Sequence, residues 1–326
     1  MTDWTPDSLA QRLMDYALLM GARTAGIATL ETLEGGPPST DLTYVLPEAR
    51  SAVSFTVPID QSVIDPYLSK EDRNSQEDSA KKANIMSSGI ASWIANFLDQ
   101  KGYKSQALNA NQTYRDKSGD NQLGYNPMMP DISHRYIAAR SGAGFFGLSG
   151  NILTKEDGAA VILGTCVTSA ELTPTEPVPP EENFCDECGL CMKSCMARFM
   201  NDEEKTTVII GDMPFTYSKR REYMRCGFVC GGVSGLDPDR KWSTWSPGRY
   251  ELPEEDEAYI PLIKTAIKSY YKRPEMSGGN YNVLTKSKNY TTCASCQLIC
   301  HPDKKKRAER FKKLTTNGVI IQHPDG

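Results

Sequence analysis

The sequence predicts a mixed α/β layer fold over residues 1–175, followed by a smaller cysteine-rich domain over 176–326. Two observations lead to this division. Short apolar strand patterns alternate with helical patterns along the first part of the chain. The breaker-rich segment TPTEPVPPEEN then separates that part from a region in which cysteines cluster. We place the domain boundary in this segment.

Hydrophobic periodicity predicts the first elements. A helix is expected in TPDSLAQRLMDYALLMGA, which ends at Gly21. Buried strands are expected in TAGIATL, in SAVSFTVPI and in KSQALNAN. A long helix is expected from about 79 to 102. Its predicted apolar face consists of Ile85, Ile90, Trp93, Ile94 and Phe97.

The elements that follow are shorter. SHRYIAARSGAGFFG predicts a helix that begins at Asp131 or Ser133, and NILTKEDGAAVILGTCVTSAEL predicts a hairpin turning at KEDG. TTVIIGDMPFTYS predicts a second small hairpin, and YIPLIKTAIKSYYKR predicts a short helix. The last segment, HPDKKKRAERFKKLTTNGVIIQ, predicts a basic helix followed by a short strand.

Composition narrows the class of protein. The net charge of -4 argues against broad non-specific binding of nucleic acids. No apolar run approaches the ~18 residues that span a bilayer, and the start has neither a secretory signal pattern nor a twin-arginine pair. We therefore expect a cytoplasmic protein without a membrane anchor. Cytosolic cysteines are kept reduced, so clusters among the ten cysteines indicate metal binding.

The segment ENFCDECGLCMKSC carries four cysteines in C-x2-C-x2-C-x3-C spacing: Cys185, Cys188, Cys191 and Cys195. This is the bacterial ferredoxin pattern, in which three cysteines hold one [4Fe–4S] cluster and the fourth holds another. The pattern therefore predicts a second cluster elsewhere in the chain.

A second run, TTCASCQLICHPD, supplies Cys293, Cys296 and Cys300 and looks like a ferredoxin run without one middle cysteine. Two clusters take four thiolates each, so one ligand is missing, and YMRCGFVCGG offers Cys226 or Cys230. The last cysteine of each run is expected to cross over. One cluster is then expected to use Cys185, Cys188, Cys191 and Cys300, and the other Cys195, Cys293, Cys296 and one of the two candidates.

The alternative is a pair of structural zinc sites, which also use C-x2-C spacing. Four cysteines at this spacing crowd a single zinc ion, and the second run fits a closed zinc site poorly, so we favour clusters. Cys166 lies in an apolar strand pattern and is expected to be an inert core thiol.

The glycine segment SGAGFFGLSG has G-x-G-x-x-G spacing but closes a helix, whereas a dinucleotide-binding loop opens one. The order of segments is more informative. SHRYIAARSGAGFFGLSGNILTKEDGAAVILG, the proline-rich linker and CDECGLCMKSC resemble the epoxyqueuosine reductase and reductive dehalogenase superfamily. GARTAGIA and RREYMRC also resemble segments of that family, and the latter favours Cys226 as the eighth ligand.

The resemblance implies a nitroreductase-like domain that holds base-off cobalamin, followed by a ferredoxin-like domain with two [4Fe–4S] clusters and an insertion at about 201–290. On this basis we expect cobalamin contacts at Arg135, Ser141, Gly142, Gly144, Phe145, Gly147 and Asn151.

The sequence also departs from the family. Met128 stands where epoxyqueuosine reductases carry a catalytic aspartate, and His134 replaces a glutamate. The helical repeat domain linked to tRNA is absent from this chain, so we expect a small substrate and regard tRNA as unlikely. Tyr125, Asp131 and His134 are the candidate proton donors; His134 is expected to titrate near neutral pH, and Asp131 or Ser133 can instead cap the helix.

These patterns predict a corrinoid-dependent iron–sulfur reductase that acts on a small molecule. A low-potential donor such as ferredoxin or flavodoxin is expected to reduce it. The basic segment KKKRAERFKK is interpreted either as a solvated helix face or as a docking patch for such an acidic donor. Two alternatives remain open: an activator that reduces the corrinoid of a partner protein, and a flavin-dependent reductase on the same scaffold.

Overall fold

A computed structural model of the chain describes residues 4–109, 114–115, 129–270, 280–282, 287–289 and 293–322. Its helices are α1 Pro6–Leu19, α2 Ile64–Leu68, α3 Asn74–Gln100, α4 His134–Arg140, α5 Leu190–Lys193, α6 Tyr223–Cys230, α7 Asp256–Tyr270, α8 Ser295–Ile299 and α9 Lys304–Thr315. Its strands are β1 Thr24–Thr29, β2 Ser51–Pro58, β3 Ser105–Leu108, β4 Phe145–Phe146, β5 Ile152–Leu153, β6 Val161–Thr168, β7 Met200–Ile210, β8 Met213–Arg220, β9 Asn280–Asn282 and β10 Ser287–Asn289.

The central sheet has four strands in the order β1-β2-β6-β3, and every neighbouring pair is antiparallel. The three strands predicted from TAGIATL, SAVSFTVPI and KSQALNAN are therefore confirmed. Their alternation with helices suggested a layered α/β arrangement, and the antiparallel pairing makes the fold α+β. Ile27 faces Val53 across one strand pair, and Val53 faces Cys166 across the next. Cys166 is fully buried, and burial raises the pKa of its thiol, as expected for a core cysteine.

Helix α3 covers the sheet and begins five residues before the predicted start. Ile90 and Ile94 are buried as predicted, but Ile85 is 73% exposed and its placement on the apolar face was wrong. Small side chains face the sheet instead, because the helix lies close to it. At Gly164 of β6, a Cβ atom would come within 2.6 Å of the Ser87 hydroxyl of α3.

The predicted hairpin around KEDG is wrong in its pairing. Strand β5 pairs with β4, whereas β6 pairs with β2 and β3 in the central sheet. The turn itself is present and is closed by a bridge between Thr154 and Gly158. Gly158 has φ of +62°, and a Cβ there would lie 2.2 Å from the Cys300 carbonyl oxygen. Glycine therefore lets this turn approach the second cysteine run directly.

The two cysteine runs fold alike. Gly189 and Ala294 both have a left-handed backbone and directly precede the short helices α5 and α8, which pack together. This equivalence matches Cys188 with Cys293 and Cys195 with Cys300. The second run therefore lacks the first cysteine of the pattern, and our description of a missing middle cysteine was wrong.

The segment between the runs packs back onto the first part of the chain. The predicted hairpin is confirmed as β7–β8, and Tyr217 of β8 stacks on Phe146 with ring centroids 4.9 Å apart. The predicted short helix is α7. One hydrophobic core includes residues from both sides of the predicted boundary, such as Leu13 and Leu298. The division into two domains thus stays a prediction.

The basic C-terminal helix is confirmed as α9, but the strand predicted after it is reduced to a single bridge between Gly248 and Ile321. Among the helices that the structure describes, we find none with the length and apolar character required to cross a bilayer.

Candidate metal centres and active-site cavity

The structure brings together four thiols in one of the predicted combinations, which we name the first thiol set: Cys185, Cys188, Cys191 and Cys300. They line a small cavity of about 10 Å³. The Leu148 backbone N–H donates to the Cys185 sulfur over 3.3 Å. Donors of this kind stabilise the charge of cluster-bound thiolates.

Arg307 of α9 supplies positive charge to the first thiol set. It is only 4% exposed and donates to the Asp186 carboxylate over 2.9 Å and to the Cys188 sulfur over 3.8 Å. Its Nε is buried and has no hydrogen-bond partner among the described residues. A buried cation with spare donor capacity suits an anionic iron–sulfur cluster at this position.

The second thiol set consists of Cys195, Cys293, Cys296 and the α6 cysteines Cys226 and Cys230. Its sulfurs also have donors close by. The Phe199 backbone N–H lies 3.5 Å from the Cys195 sulfur, and the Asn151 side-chain amide lies 3.6 Å from the Cys296 sulfur.

Both α6 thiols, Cys226 and Cys230, are candidates for the eighth cluster ligand. Cys226 and Cys230 are one helical turn apart with their sulfurs 3.6 Å from each other, and the Cys230 thiol also contacts Cys293. A four-iron cluster takes four thiolates, and Cys195, Cys293 and Cys296 supply three, so only one of the two α6 thiols is needed as a ligand. The eighth ligand stays a prediction, with Cys226 as the candidate.

The two sets would need compensating positive charge to hold their cysteines as thiolates. Burial, followed by repulsion from other cysteines, raises the pKa of Cys191 and of Cys195 to about 12 each. Iron would supply that charge. In the part of the chain that the structure describes, no three His, Cys, Asp or Glu side chains are arranged around a single metal ion. The donors instead form two adjoining sets, since the charge of Cys296 also acts on Cys191, and this arrangement fits two clusters.

A cavity of about 380 Å³ lies beside the second thiol set. Strand β6 and helices α4, α6 and α8 form its walls, and Cys226, Cys230 and Cys296 are part of its lining. The polar side chains around it include Tyr114, His134, Arg135, Asn151, Arg220 and Tyr223. No Asp or Glu of the described residues lines it.

The loop 149–151 anchors both arginines of the cavity. Arg135 donates to the Gly150 carbonyl oxygen over 2.7 Å, and Arg220 donates to the Ser149 carbonyl oxygen over 3.1 Å and to Oδ1 of Asn151 over 3.2 Å. Gly150 has φ of +71°, and a Cβ there would lie 3.1 Å from Nε of Arg220. Glycine is thus needed for the guanidinium to lie against the loop.

Tyr223 lies between these guanidinium groups. Its hydroxyl accepts from Arg220 over 3.0 Å and from Arg135 over 3.4 Å. Burial acts to raise the pKa of Tyr223, but the positive charges of Arg135 and Arg220 outweigh burial and lower it. Sequence reasoning missed Tyr223 and Arg220. The segment KRREYMRC was used only to find a cysteine, although its basic residues beside a candidate ligand were a usable signal.

The proton donors predicted from the sequence, His134, Asp131 and Tyr125, are placed less favourably than Tyr223. His134 lines the cavity and its Nδ1 lies 2.7 Å from the Thr165 hydroxyl. Burial lowers the pKa of His134 to about 4, so the ring is neutral at pH 7 and the expected titration near neutrality is wrong. Asp131 is not among the lining residues, and Ser133, not Asp131, caps α4. Tyr125 lies outside the described residues, and no role among the three is tested.

The predicted cobalamin contacts divide into two groups. Arg135 and Asn151 line the large cavity. The others serve packing: a Cβ at Gly142 would meet the Glu176 carbonyl, and Phe145 packs edge-on against Phe184. Buried or packed in this way are Ser141, Gly142, Gly144, Phe145 and Gly147. Their role as cofactor contacts remains a prediction that this placement does not favour.

No protein-family model matches the chain. Epoxyqueuosine reductase of Atelocyanobacterium thalassa (isolate ALOHA) is 36% identical over 64 residues, which cover 20% of this chain and 20% of that protein. Epoxyqueuosine reductase of Vibrio cholerae is 36% identical over 76 residues, 23% of this chain and 20% of that protein. The matched stretch thus spans about a fifth of the length of these curated relatives.

Among solved structures, the catabolic reductive dehalogenase NpRdhA in complex with 3-bromo-4-hydroxybenzoic acid matches with a TM-score of 0.54 and 12% identity. The match covers 96% of this chain and 35% of that one. A second reductive dehalogenase structure, titled for B12-dependent dehalogenation, matches with a TM-score of 0.51 and 15% identity over 79% of this chain and 34% of that one. At these identities the matches show the fold alone. The fold of reductive dehalogenases and the short stretches like epoxyqueuosine reductase together confirm the resemblance to this superfamily that the sequence predicted.

Proposed function

We propose that this protein is a corrinoid-dependent iron–sulfur reductase in which electrons pass from the first thiol set to the second and then to the large cavity. The observation that carries the proposal is the position of the second thiol set. Its thiols Cys226, Cys230 and Cys296 are part of the cavity lining, while Cys191 of the first set adjoins Cys296. Clusters held here would form a path that ends where a substrate can bind.

The cavity offers contacts for a corrinoid. Val161, Ile162 and Leu163 of β6 supply an apolar wall, and Arg135 and Asn151 supply donors for amide oxygens at the rim of such a ring. When bound, a corrinoid supplies a cobalt ion that exchanges electrons and reduces substrate bonds. The residues of this chain would hold that cofactor, exclude water and deliver a proton.

Tyr223 is the side chain best placed to hold that proton. Its hydroxyl accepts hydrogen bonds from Arg135 and Arg220, which leaves its own hydrogen without an acceptor among the described residues. The two positive charges stabilise the phenolate that remains after the proton leaves. A general acid within reach of the reacting bond is what reductive cleavage requires.

The donor is proposed to dock on α9, next to the first thiol set. Five cations of this helix are held by carboxylates. Lys306, Arg310 and Lys313 pair with Asp65, and Lys304 and Arg307 pair with Asp186.

Lys305 and Lys312 are exposed on α9, while Arg307 of the same helix is buried and contacts the first thiol set. We propose that an acidic low-potential carrier such as ferredoxin or flavodoxin binds the exposed side of α9, at Lys305 and Lys312. The thiol-rich centres suit a reducing compartment such as the cytoplasm. We propose a small substrate in preference to tRNA, because Met128 and His134 replace the residues that epoxyqueuosine reductases carry at those positions.

The test is metal analysis of protein that is purified anaerobically after expression with cobalamin. About eight irons and about one cobalt per chain, as two four-iron clusters and one corrinoid require, would support the proposal. About eight irons without cobalt would refute the corrinoid part and direct the search to flavin. About eight irons with neither cobalt nor flavin would favour the activator alternative, which carries electrons to the corrinoid of a partner.

A further inference from the structure

We propose that Arg135, Arg220 and Tyr223 form a binding site for an oxyanion group inside the large cavity. The group is a carboxylate or phenolate of the substrate, or the phosphodiester of a corrinoid tail. This inference depends on the proposed function in one respect: it takes the large cavity as the place where ligands bind.

The first argument is charge. Two guanidinium groups line one cavity, and in the described part of the chain no Asp or Glu side chain joins them there. The acidic groups beside them are the thiols Cys226, Cys230 and Cys296, and the charge of Arg220 acts on Cys296. Their hydrogen bonds go to neutral oxygens of the loop 149–151 and of Tyr223. Burial, and then the charge of Arg220, lowers the pKa of Arg135. A bound anion would relieve both the desolvation and the repulsion.

The second argument is spare hydrogen-bond capacity. Nε of Arg220 is buried and has no partner among the described residues. The Tyr223 hydroxyl accepts two charged hydrogen bonds and keeps its own hydrogen available. Tyr223 is 36% exposed, so water can also accept from its hydroxyl. Nε of Arg220 is buried, and buried donors in native structures are normally satisfied, so this atom points to a missing acceptor. The planar fork of arginine matches the two oxygens of a carboxylate or phosphate.

The third argument is preorganisation. The loop 149–151 holds both guanidinium groups by carbonyl oxygens, and Gly150 permits the close contact with Arg220. The side chains therefore need little reordering when a ligand binds. The groups come from two segments of the chain: Arg135 lies on α4, and Arg220 and Tyr223 lie at the two ends of the short stretch that joins β8 to α6.

Titration calorimetry of the anaerobic iron–sulfur protein with benzoate tests the site, with neutral benzamide as the matched ligand. We expect benzoate to bind at least about tenfold more tightly than benzamide, the effect of one charge-assisted hydrogen bond. Arg220→Gln and Arg135→Gln should bring the two affinities close to each other. Arg220→Lys should retain part of the preference, and the exposed Arg198→Gln should retain all of it.

A second titration identifies the source of the anion. Cobalamin carries a phosphodiester tail, and cobinamide does not. If Arg220→Gln weakens cobalamin binding but not cobinamide binding, the site holds the corrinoid tail. If it removes the benzoate preference and leaves both corrinoids unchanged, the site holds the substrate.

The proposal is overturned if Arg220→Gln changes neither the preference for benzoate over benzamide nor the affinity for cobalamin. Iron content and the unfolding midpoint of each variant show that the chain remains folded, and Arg220→Lys keeps the test valid if Arg220→Gln does not fold. A protein that binds benzoate in this way but takes up no corrinoid would refute the proposed function and retain the anion site.

Discussion

The two thiol sets derive from similar cysteine runs but occupy different surroundings. The first set encloses a cavity of about 10 Å³ beneath α9, where the buried Arg307 lies against the Cys188 sulfur. The second set borders a cavity of about 380 Å³. The side chains in hydrogen-bonding distance of its sulfurs are neutral: the Ser295 hydroxyl lies 3.5 Å from the Cys293 sulfur, and the Asn151 amide lies 3.6 Å from the Cys296 sulfur. The first set is thus closed in by the protein around it, whereas the second set opens onto a cavity with room for a further ligand.

This difference suggests a direction for electron flow. The first set lies beside α9, which has exposed lysines, and the second lies beside the large cavity. Under the proposed function, electrons enter at the first set and leave at the second. The positive charge of the second region belongs to Arg135 and Arg220, which the loop 149–151 holds toward the cavity. The following variants test whether the two regions differ in this way.

The largest effect is expected from removing a ligand of the first thiol set. Cys300→Ser should lower the iron content from about eight to about four per chain, because a four-iron cluster needs four thiolates. The core variant Cys166→Ala removes a fully buried thiol outside both sets and should keep all iron. Iron analysis and electron paramagnetic resonance of the reduced protein measure this. Retention of iron in Cys300→Ser would show that this set holds no cluster.

The next comparison lies within the second set. The resemblance of RREYMRC favours Cys226 as the eighth ligand, and the second cluster takes only one thiolate from α6. Cys226→Ser should therefore remove about half of the iron, and Cys230→Ser should leave the iron content unchanged. The pair is matched, since both residues lie on one helix and line the same cavity. The reverse result would assign Cys230 as the ligand.

Substitutions beside each thiol set should shift the reduction potential of that cluster and not of the other. Arg307→Gln removes a positive charge next to Cys188 and should shift the potential of the first cluster to more negative values, because the reduced cluster carries more negative charge. Asn151→Ala should produce a smaller shift in the second cluster only. Redox titration followed by electron paramagnetic resonance measures both. Lys305→Gln, at an exposed position of α9, is the control, and equal shifts in the two clusters would contradict the separation.

The smallest effect concerns the loop that anchors the arginines. Gly150 and Gly318 have φ of +71° and +77°, so alanine at either costs about 1–2 kcal/mol of backbone strain. A Cβ at Gly150 would also lie 2.8 Å from Cδ2 of Tyr217, whereas Gly318 has nothing within 4 Å. Denaturant unfolding should therefore show a larger loss of stability for Gly150→Ala. Equal losses of stability in Gly150→Ala and Gly318→Ala would mean that the loop 149–151 accommodates the added Cβ without displacing Arg220.

Local sequence spacing was sufficient for several features of this protein. The strands β1, β2 and β3, the hairpin β7–β8 and the helix α9 follow from short-range periodicity, which depends on neighbouring residues alone. The first thiol set follows from the ferredoxin spacing, because the geometry of the cluster dictates the separation of its ligands.

Other features depend on contacts between distant segments. Strand β5 pairs with β4 and not with β6, and Ile85 faces solvent because the close approach of α3 selects small side chains. The anion site joins Arg135, Arg220 and Tyr223, and no local pattern connects α4 to the end of β8. The lowered pKa of His134 likewise results from its burial in the folded protein. Tertiary packing decided these features, because desolvation and charge pairing act through space between residues that the sequence keeps far apart.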